Sequence, residues 1–177
     1  MKDGKIRVAI YIDGSNLYHK LKDFGVIKTS KFNYLALCNF LAGDRKIIPC
    51  RYYVGVVRAK DDDKFAQAMR SEQQRLFSNL KNQGFCVKQG YLMENNGKFH
   101  EKGVDVKIAV DLLVGAYDDL YDVAILISSD TDLIPVISKI KHLNKRVEYI
   151  GFAHNPSIAL QKIANNFILL TKNELLV

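Results

Sequence analysis

The sequence predicts a three-layer α/β/α sandwich around a mainly parallel sheet. Short, mostly apolar, β-branched runs alternate with helix-length segments from end to end, which is the signature of a sheet covered on both faces. The first run, Ile6 to Ile12, stops abruptly at Asp13-Gly14, as a buried parallel strand does. With 177 residues, 48% hydrophobic and 25% charged, the chain can bury one core without disulfides or a structural metal, and residues 1–177 are expected to form a single domain.

The elements follow in order. After Ile6 to Ile12, helical stretches cover Ser15 to Asp23 and Lys31 to Leu41, the second closing on Gly43. Cys50 to Val57 is the second strand. Lys64 to Gln83 is rich in Ala, Gln, Glu, Lys, Arg and Leu and reads as a long helix ending at Gly84, before a third strand from Phe85 to Tyr91. Asn95-Asn96-Gly97 suits the tight turn of a small hairpin, since Asn-Gly readily takes positive φ. Val104 to Tyr117 is apolar on nearly every side and is expected to be a deeply buried helix. Val123 to Ile127 is the central strand, followed by a helix from Leu133 to His142, a strand from Arg146 to Phe152, a helix from Ser157 to Asn165 and a last short strand at Phe167 to Leu170. Crossovers between parallel strands are expected to be right-handed.

Composition narrows the setting. The cysteines Cys38, Cys50 and Cys86 are odd in number and form no CxxC pair, which argues for a reducing compartment and a cytoplasmic protein. Met1 to Lys5 is polar, and no apolar stretch reaches the roughly 18 residues of a membrane span, so neither a leader nor a membrane partner is expected. A net charge of +7 favours a polyanionic partner.

The chemistry lies in carboxylates. In an open parallel sheet the ligand sits beyond the carboxyl ends of the strands, where strand order reverses. Asp13 ends the first strand and Asp130 and Asp132 follow the strand Val123 to Ile127, so these three share one sheet edge. The helix carrying Asp105 runs antiparallel to those strands, which brings its N-terminal end to the same edge. Taken singly, Asp13 and Asp132 suit helix caps and Asp105 suits a first helical turn. Taken together, close carboxylates repel one another unless a cation neutralises them, so the set predicts a hard divalent metal, Mg²⁺ or Mn²⁺. No cysteine or HxxxH spacing accompanies them, which lowers zinc. Asn16, Ser128 and Ser129 stand beside the set and can hold ligands or water.

Tyr11-Ile12-Asp13-Gly14-Ser15-Asn16-Leu17, Lys102-Gly103-Val104-Asp105-Val106 and Leu126-Ile127-Ser128-Ser129-Asp130-Thr131-Asp132-Leu133 occur in that order and resemble the motifs of a NYN domain of the LabA/DUF88 type, in the PIN-like nuclease superfamily. The resemblance extends over nearly the whole chain. It implies a PIN-like fold with sheet order 3-2-1-4-5 plus the short C-terminal strand, a divalent metal and ribonuclease activity. By position, Asp13, Asp105, Asp130 and Asp132 would be the catalytic and metal-binding set, with Asn16 and Ser128 beside it. Asp111 also matches a commonly acidic position of the family. On an ideal helix it points about 120° from Asp105, which makes it a supporting or core-bonded residue rather than a ligand.

RNA, single-stranded, is the expected partner. Arg58 and Lys60, just past the second strand, and Lys102, three residues before Asp105, are the candidate phosphate contacts. Tyr18 and Tyr91 are candidates for stacking on bases, and a homodimer is left open. Asp61-Asp62-Asp63 directly precedes the long helix and reads as capping and dipole compensation. Dinucleotide and P-loop readings fail for want of their glycine motifs. A haloacid-dehalogenase-type phosphatase would need further acidic residues downstream, and after Asp132 only Glu148 and Glu174 remain. The expected function is metal-dependent hydrolysis of RNA, with a non-catalytic RNA-binding or regulatory module as the alternative.

Overall fold

Strand β1 (Arg7–Asp13) is the axis of the fold. The computed structural model describes residues 4–26, 28–56, 64–95 and 98–175. Within them β1 pairs in parallel with β2 (Lys46–Val56) on one side and β5 (Val123–Ile127) on the other. Strand β3 (Cys86–Asn95) extends the sheet beyond β2, and β6 (Arg146–Phe152) and β7 (Asn166–Leu170) extend it beyond β5, all parallel. Strand β4 (Lys98–Lys102) pairs antiparallel with β3 at the edge, so the sheet order is β4-β3-β2-β1-β5-β6-β7. Apart from the hairpin strand β4, this is the predicted order, with strand sequence reversing direction between β1 and β5.

Alternation along β1 divides the core. Val8, Ile10 and Ile12 face one layer, into which α1 (Gly14–Asp23), α2 (Tyr34–Ala42) and α3 (Lys64–Asn82) pack Leu17, Leu37 and Leu80. Ala9 and Tyr11 face the other, filled by α4 (Val104–Tyr117), α5 (Ile134–His142) and α6 (Ile158–Ile163) through Ile108, Ile137 and Leu160. Val123 to Ile127 is buried at every position, as a strand covered on both faces must be.

Three differences from expectation have physical causes. Strand β2 begins at Lys46 rather than Cys50, although it contains Pro49. Pairing with β3 starts only at Arg51, so Pro49 lies on an edge segment, and the register with β1 slips between Ala9 and Tyr11 to take up the missing N–H. Helix α6 covers only Ile158–Ile163, capped by Ser157, because Asn165 leaves it to bond the Val147 backbone. Helix α4 is not deeply buried. It buries Val104, Ile108, Leu112 and Ala116 and exposes Val106 (66%), Val110 (51%), Val114 (47%) and Tyr117 (61%), since the sheet covers only one of its sides. Asn96-Gly97 of the expected turn, Asp61-Asp62-Asp63, Arg58 and Lys60 lie outside the described residues.

Parallel pairing brings the carboxyl ends of β1, β2, β3, β5, β6 and β7 to one edge. Helix α4 returns antiparallel to them and starts at that edge. Its first turn approaches β3 closely at Gly90, where an added Cβ would stand 2.8 Å from the Lys102 carbonyl oxygen and 2.7 Å from Val104. Gly103, with φ +77°, makes the turn from β4 into the helix.

Candidate functional site

Asp13 is the last residue of β1 and the N-cap of α1. Its Oδ1 accepts the Asn16 backbone N–H at 3.0 Å and its Oδ2 accepts the Ser128 hydroxyl at 2.9 Å, so a carboxylate only 6% exposed is held from both sides. The chain can turn into α1 here because residue 14 is glycine. A Cβ at Gly14 would lie 2.5 Å from the Tyr53 carbonyl oxygen and clash with the edge of the Tyr52 ring. Burial raises the proton affinity of Asp13 above that of an ordinary aspartate. The bonds from Asn16 and Ser128 oppose this and the charge of Asp130 adds to it.

The second segment is wired to the first. Ser128, fully buried just past β5, donates to Asp13 and accepts the Asp130 backbone N–H at 3.1 Å. Asp130 then caps the short turn Thr131–Leu133 by accepting the Asp132 N–H at 2.9 Å. One hydroxyl therefore fixes the spacing between the ends of β1 and β5.

The third segment is the first turn of α4. Asp105 is pushed up in proton affinity by partial burial and then by the nearby Asp130, Asp13 and Asp132 carboxylates. Asp105 therefore lies within electrostatic range of Asp130, Asp13 and Asp132, which come from two other stretches of chain.

Two further polar atoms face this edge without a hydrogen-bond partner among the described residues: Asn16 Oδ1 and Ser129 Oγ, both buried. Orphaned buried acceptors beside clustered carboxylates fit a cation or ordered water. All the donors are oxygen, which suits a hard ion such as Mg²⁺ or Mn²⁺. Among the described residues, no three His, Cys, Asp or Glu side chains close into a ready ligand cage. Asp105 and Asp132 are exposed.

The remaining candidates separate. Lys102 is exposed at the end of β4 on the same edge. Asp111 sits six residues along α4 from Asp105, about 9 Å away along the axis, in a network of its own. Its Oδ2 accepts the Tyr53 hydroxyl at 2.8 Å, with Lys88 Nζ at 3.7 Å and Arg51 Nε at 3.9 Å. Arg51 also lies 5.3 Å from the centre of the Tyr11 ring, whose hydroxyl is pushed up to about 12 chiefly by burial. Sequence reasoning missed Arg51 and Lys88. The available signal was a charged residue at an interior position of a largely apolar strand, which asks for a buried partner.

Comparison with known proteins bears on the family and the fold. The NYN domain profile matches residues 7–171. No curated protein gives a significant match. Among solved structures, the crystal structure of a protein of unknown function, VPA0982, from Vibrio parahaemolyticus superposes with a TM-score of 0.71 at 25% identity, over 96% of each chain. With its motif order, sheet order and family match in agreement, the chain belongs to the NYN domain family, a branch of the PIN-like superfamily.

Proposed function

We propose that this protein is a metal-dependent ribonuclease that hydrolyses RNA phosphodiester bonds at Asp13, Asp105, Asp130 and Asp132. The observation that carries the proposal is the link through Ser128 that holds Asp13, at the end of β1, beside Asp130, just past β5, at the carboxyl edge of a NYN-domain sheet, with Asp105 on the first turn of α4 within electrostatic range of both. A PIN-like fold of this family makes nuclease chemistry the natural use of such an edge.

Asp13, Asp130 and Asp132 would hold Mg²⁺ or Mn²⁺. A complete protein cage is unnecessary, because Mg²⁺ commonly keeps several waters and binds through one or two carboxylates plus substrate phosphate. The ion supplies Lewis-acid polarisation of a phosphoryl oxygen and a more acidic water. Asp13 is the fixed member, pinned by Ser128 and Asn16. Asp105, whose proton affinity its neighbours raise, orients the attacking water and takes up its proton. Asn16 Oδ1 and Ser129 Oγ accept hydrogen bonds from water at the same place. Lys102, with Arg58 and Lys60, which follow β2 in the sequence, receives the RNA phosphates, and the domain spans residues 1–177 in a cytoplasmic protein of the LabA type.

A single-stranded RNA incubated with the protein and Mg²⁺ or Mn²⁺ is expected to be cut, and Asp13→Asn and Asp130→Asn are expected to abolish cutting. Cleavage that survives both substitutions rejects the assignment. The open arrangement of the carboxylates favours one rival, an RNA-binding module without turnover, which predicts retained binding with no metal-dependent cleavage.

A further inference from the structure

Immediately beyond Asp13, on the opposite face of the sheet from its carboxylate, a pocket of about 510 Å³ opens between the first turn of α1, the end of β2 and α3. Gly14 and Ser15 are part of its lining, and Gly14 directly follows Asp13 in the chain. The volume falls within the roughly 300–1,000 Å³ of small-ligand sites. Its floor is apolar, from Val54, Met69 and Leu76. Tyr18 and His19 stand on one side edge to face, with ring centroids 5.4 Å apart, and Tyr18 is 41% exposed. A half-exposed tyrosine over an apolar floor offers a stacking face to a flat ring.

The polar equipment of the mouth is specific. Glu72 lines it from α3, with one carboxylate oxygen held by Arg75 and the other accepting the Ser30 hydroxyl at 3.1 Å. These bonds leave further lone pairs on both oxygens. An ionised carboxylate at the mouth recognises a ligand edge that carries two adjacent N–H donors. Among RNA bases guanine has that edge, with N1–H beside its exocyclic amine. Adenine and cytosine place a ring-nitrogen acceptor beside their amine, and uracil flanks its N–H with carbonyl oxygens, so each sets a lone pair against the carboxylate. Lys22, whose ammonium lies 5.6 Å from the Tyr18 ring centre, and Lys28, close enough to act on Glu72, add positive charge at the rim where phosphates would pass.

We propose that this pocket is a base-recognition subsite that takes a guanine of single-stranded RNA next to the bond held at the carboxylates, stacking it on Tyr18 and reading it with Glu72. The inference rests on the RNA-directed reading of the site but not on turnover. It gives the protein a sequence preference that the acidic cluster, which touches only phosphate and water, cannot supply.

The test is equilibrium binding of the full chain in EDTA, which removes cleavage from the measurement. Fluorescence anisotropy compares a short labelled oligoadenylate with the same strand carrying one guanine. The guanine is expected to tighten binding about tenfold. Glu72→Gln should erase that advantage while changing oligoadenylate affinity less than about twofold, because the amide replaces one acceptor with a donor. Tyr18→Ala should weaken both strands about tenfold. Equal affinity of the wild type for the two strands, no measurable binding of either, or a guanine preference that persists in Glu72→Gln each overturns the proposal. A preference for guanine in a protein that cuts no RNA with Mg²⁺ or Mn²⁺ would leave the subsite standing and remove the hydrolytic reading instead.

Discussion

Asp13 shows how one side chain can serve fold and chemistry in opposite directions. As an N-cap it contributes about 1 kcal/mol to the start of α1, yet it is a buried charge repelled by Asp130. Asparagine caps equally well and carries no charge. Asp13→Asn is therefore expected to keep the melting temperature in EDTA or raise it, while RNA cleavage falls more than about a hundredfold, checked by thermal denaturation beside a cleavage assay. Ser128→Ala removes the hydroxyl that steadies the ionised form of Asp13. Its cleavage should drop about 10- to 100-fold, and the acid limb of its pH–rate profile should move to higher pH, because Asp13 then holds its proton more tightly.

At the scale of the elements, packing is sharply one-sided. On α4 the buried Leu112 and the exposed Val110 are two positions apart. In urea titrations, Leu112→Ala is expected to cost about 2–5 kcal/mol. Val110→Ser should stay within about 0.5 kcal/mol. The join between β1 and α1 depends on glycine, so Gly14→Ala forces the new methyl against the Tyr53 carbonyl and the Tyr52 ring and should destabilise by about 1–3 kcal/mol, read in the same titrations. At the opposite end of the sheet, Arg45 bonds the last carbonyls of α2 and neutralises Glu148, which is 5% exposed on β6. This pair ties a helix to a strand distant in sequence, and its loss would leave a buried charge without its cation.

For the whole molecule, the clustered acid couples stability to pH and to cations. Asp13 and Asp105 have folded-state pKa values above their unfolded ones, so between those values the native state binds more protons and stability falls as pH rises. Asp122 runs the other way, because Arg7 lowers it, and contributes stability that is lost as pH falls. The difference between wild type and Asp13→Asn isolates the first effect: in EDTA, wild type should lose more melting temperature than the variant on going from pH about 4 to about 7. Mg²⁺ or Mn²⁺ should recover that loss in wild type, by binding the folded state alone, and do much less for the variant. Among the described residues, no helix is long and apolar enough to cross a membrane.

The sequence by itself determined the alternation of strands and helices and the identity of the acidic residues, because apolar runs such as Val123 to Ile127 and the segments around Asp13, Asp105 and Asp130 carry their signal within a few neighbouring positions, while the strand order came only from the resemblance of those segments to the NYN motifs. Tertiary structure decided what depends on distance. It chose which side of α4 meets the sheet, which no periodicity could reveal in a helix apolar all round, and it gave Asp111 to Tyr53, Arg51 and Lys88. It also joined Asp13 to Ser128 across 115 residues and set Glu72 opposite Tyr18 around one pocket. Local pattern is short-ranged, whereas a pocket and a shared electrostatic field exist only between groups that folding has already brought together.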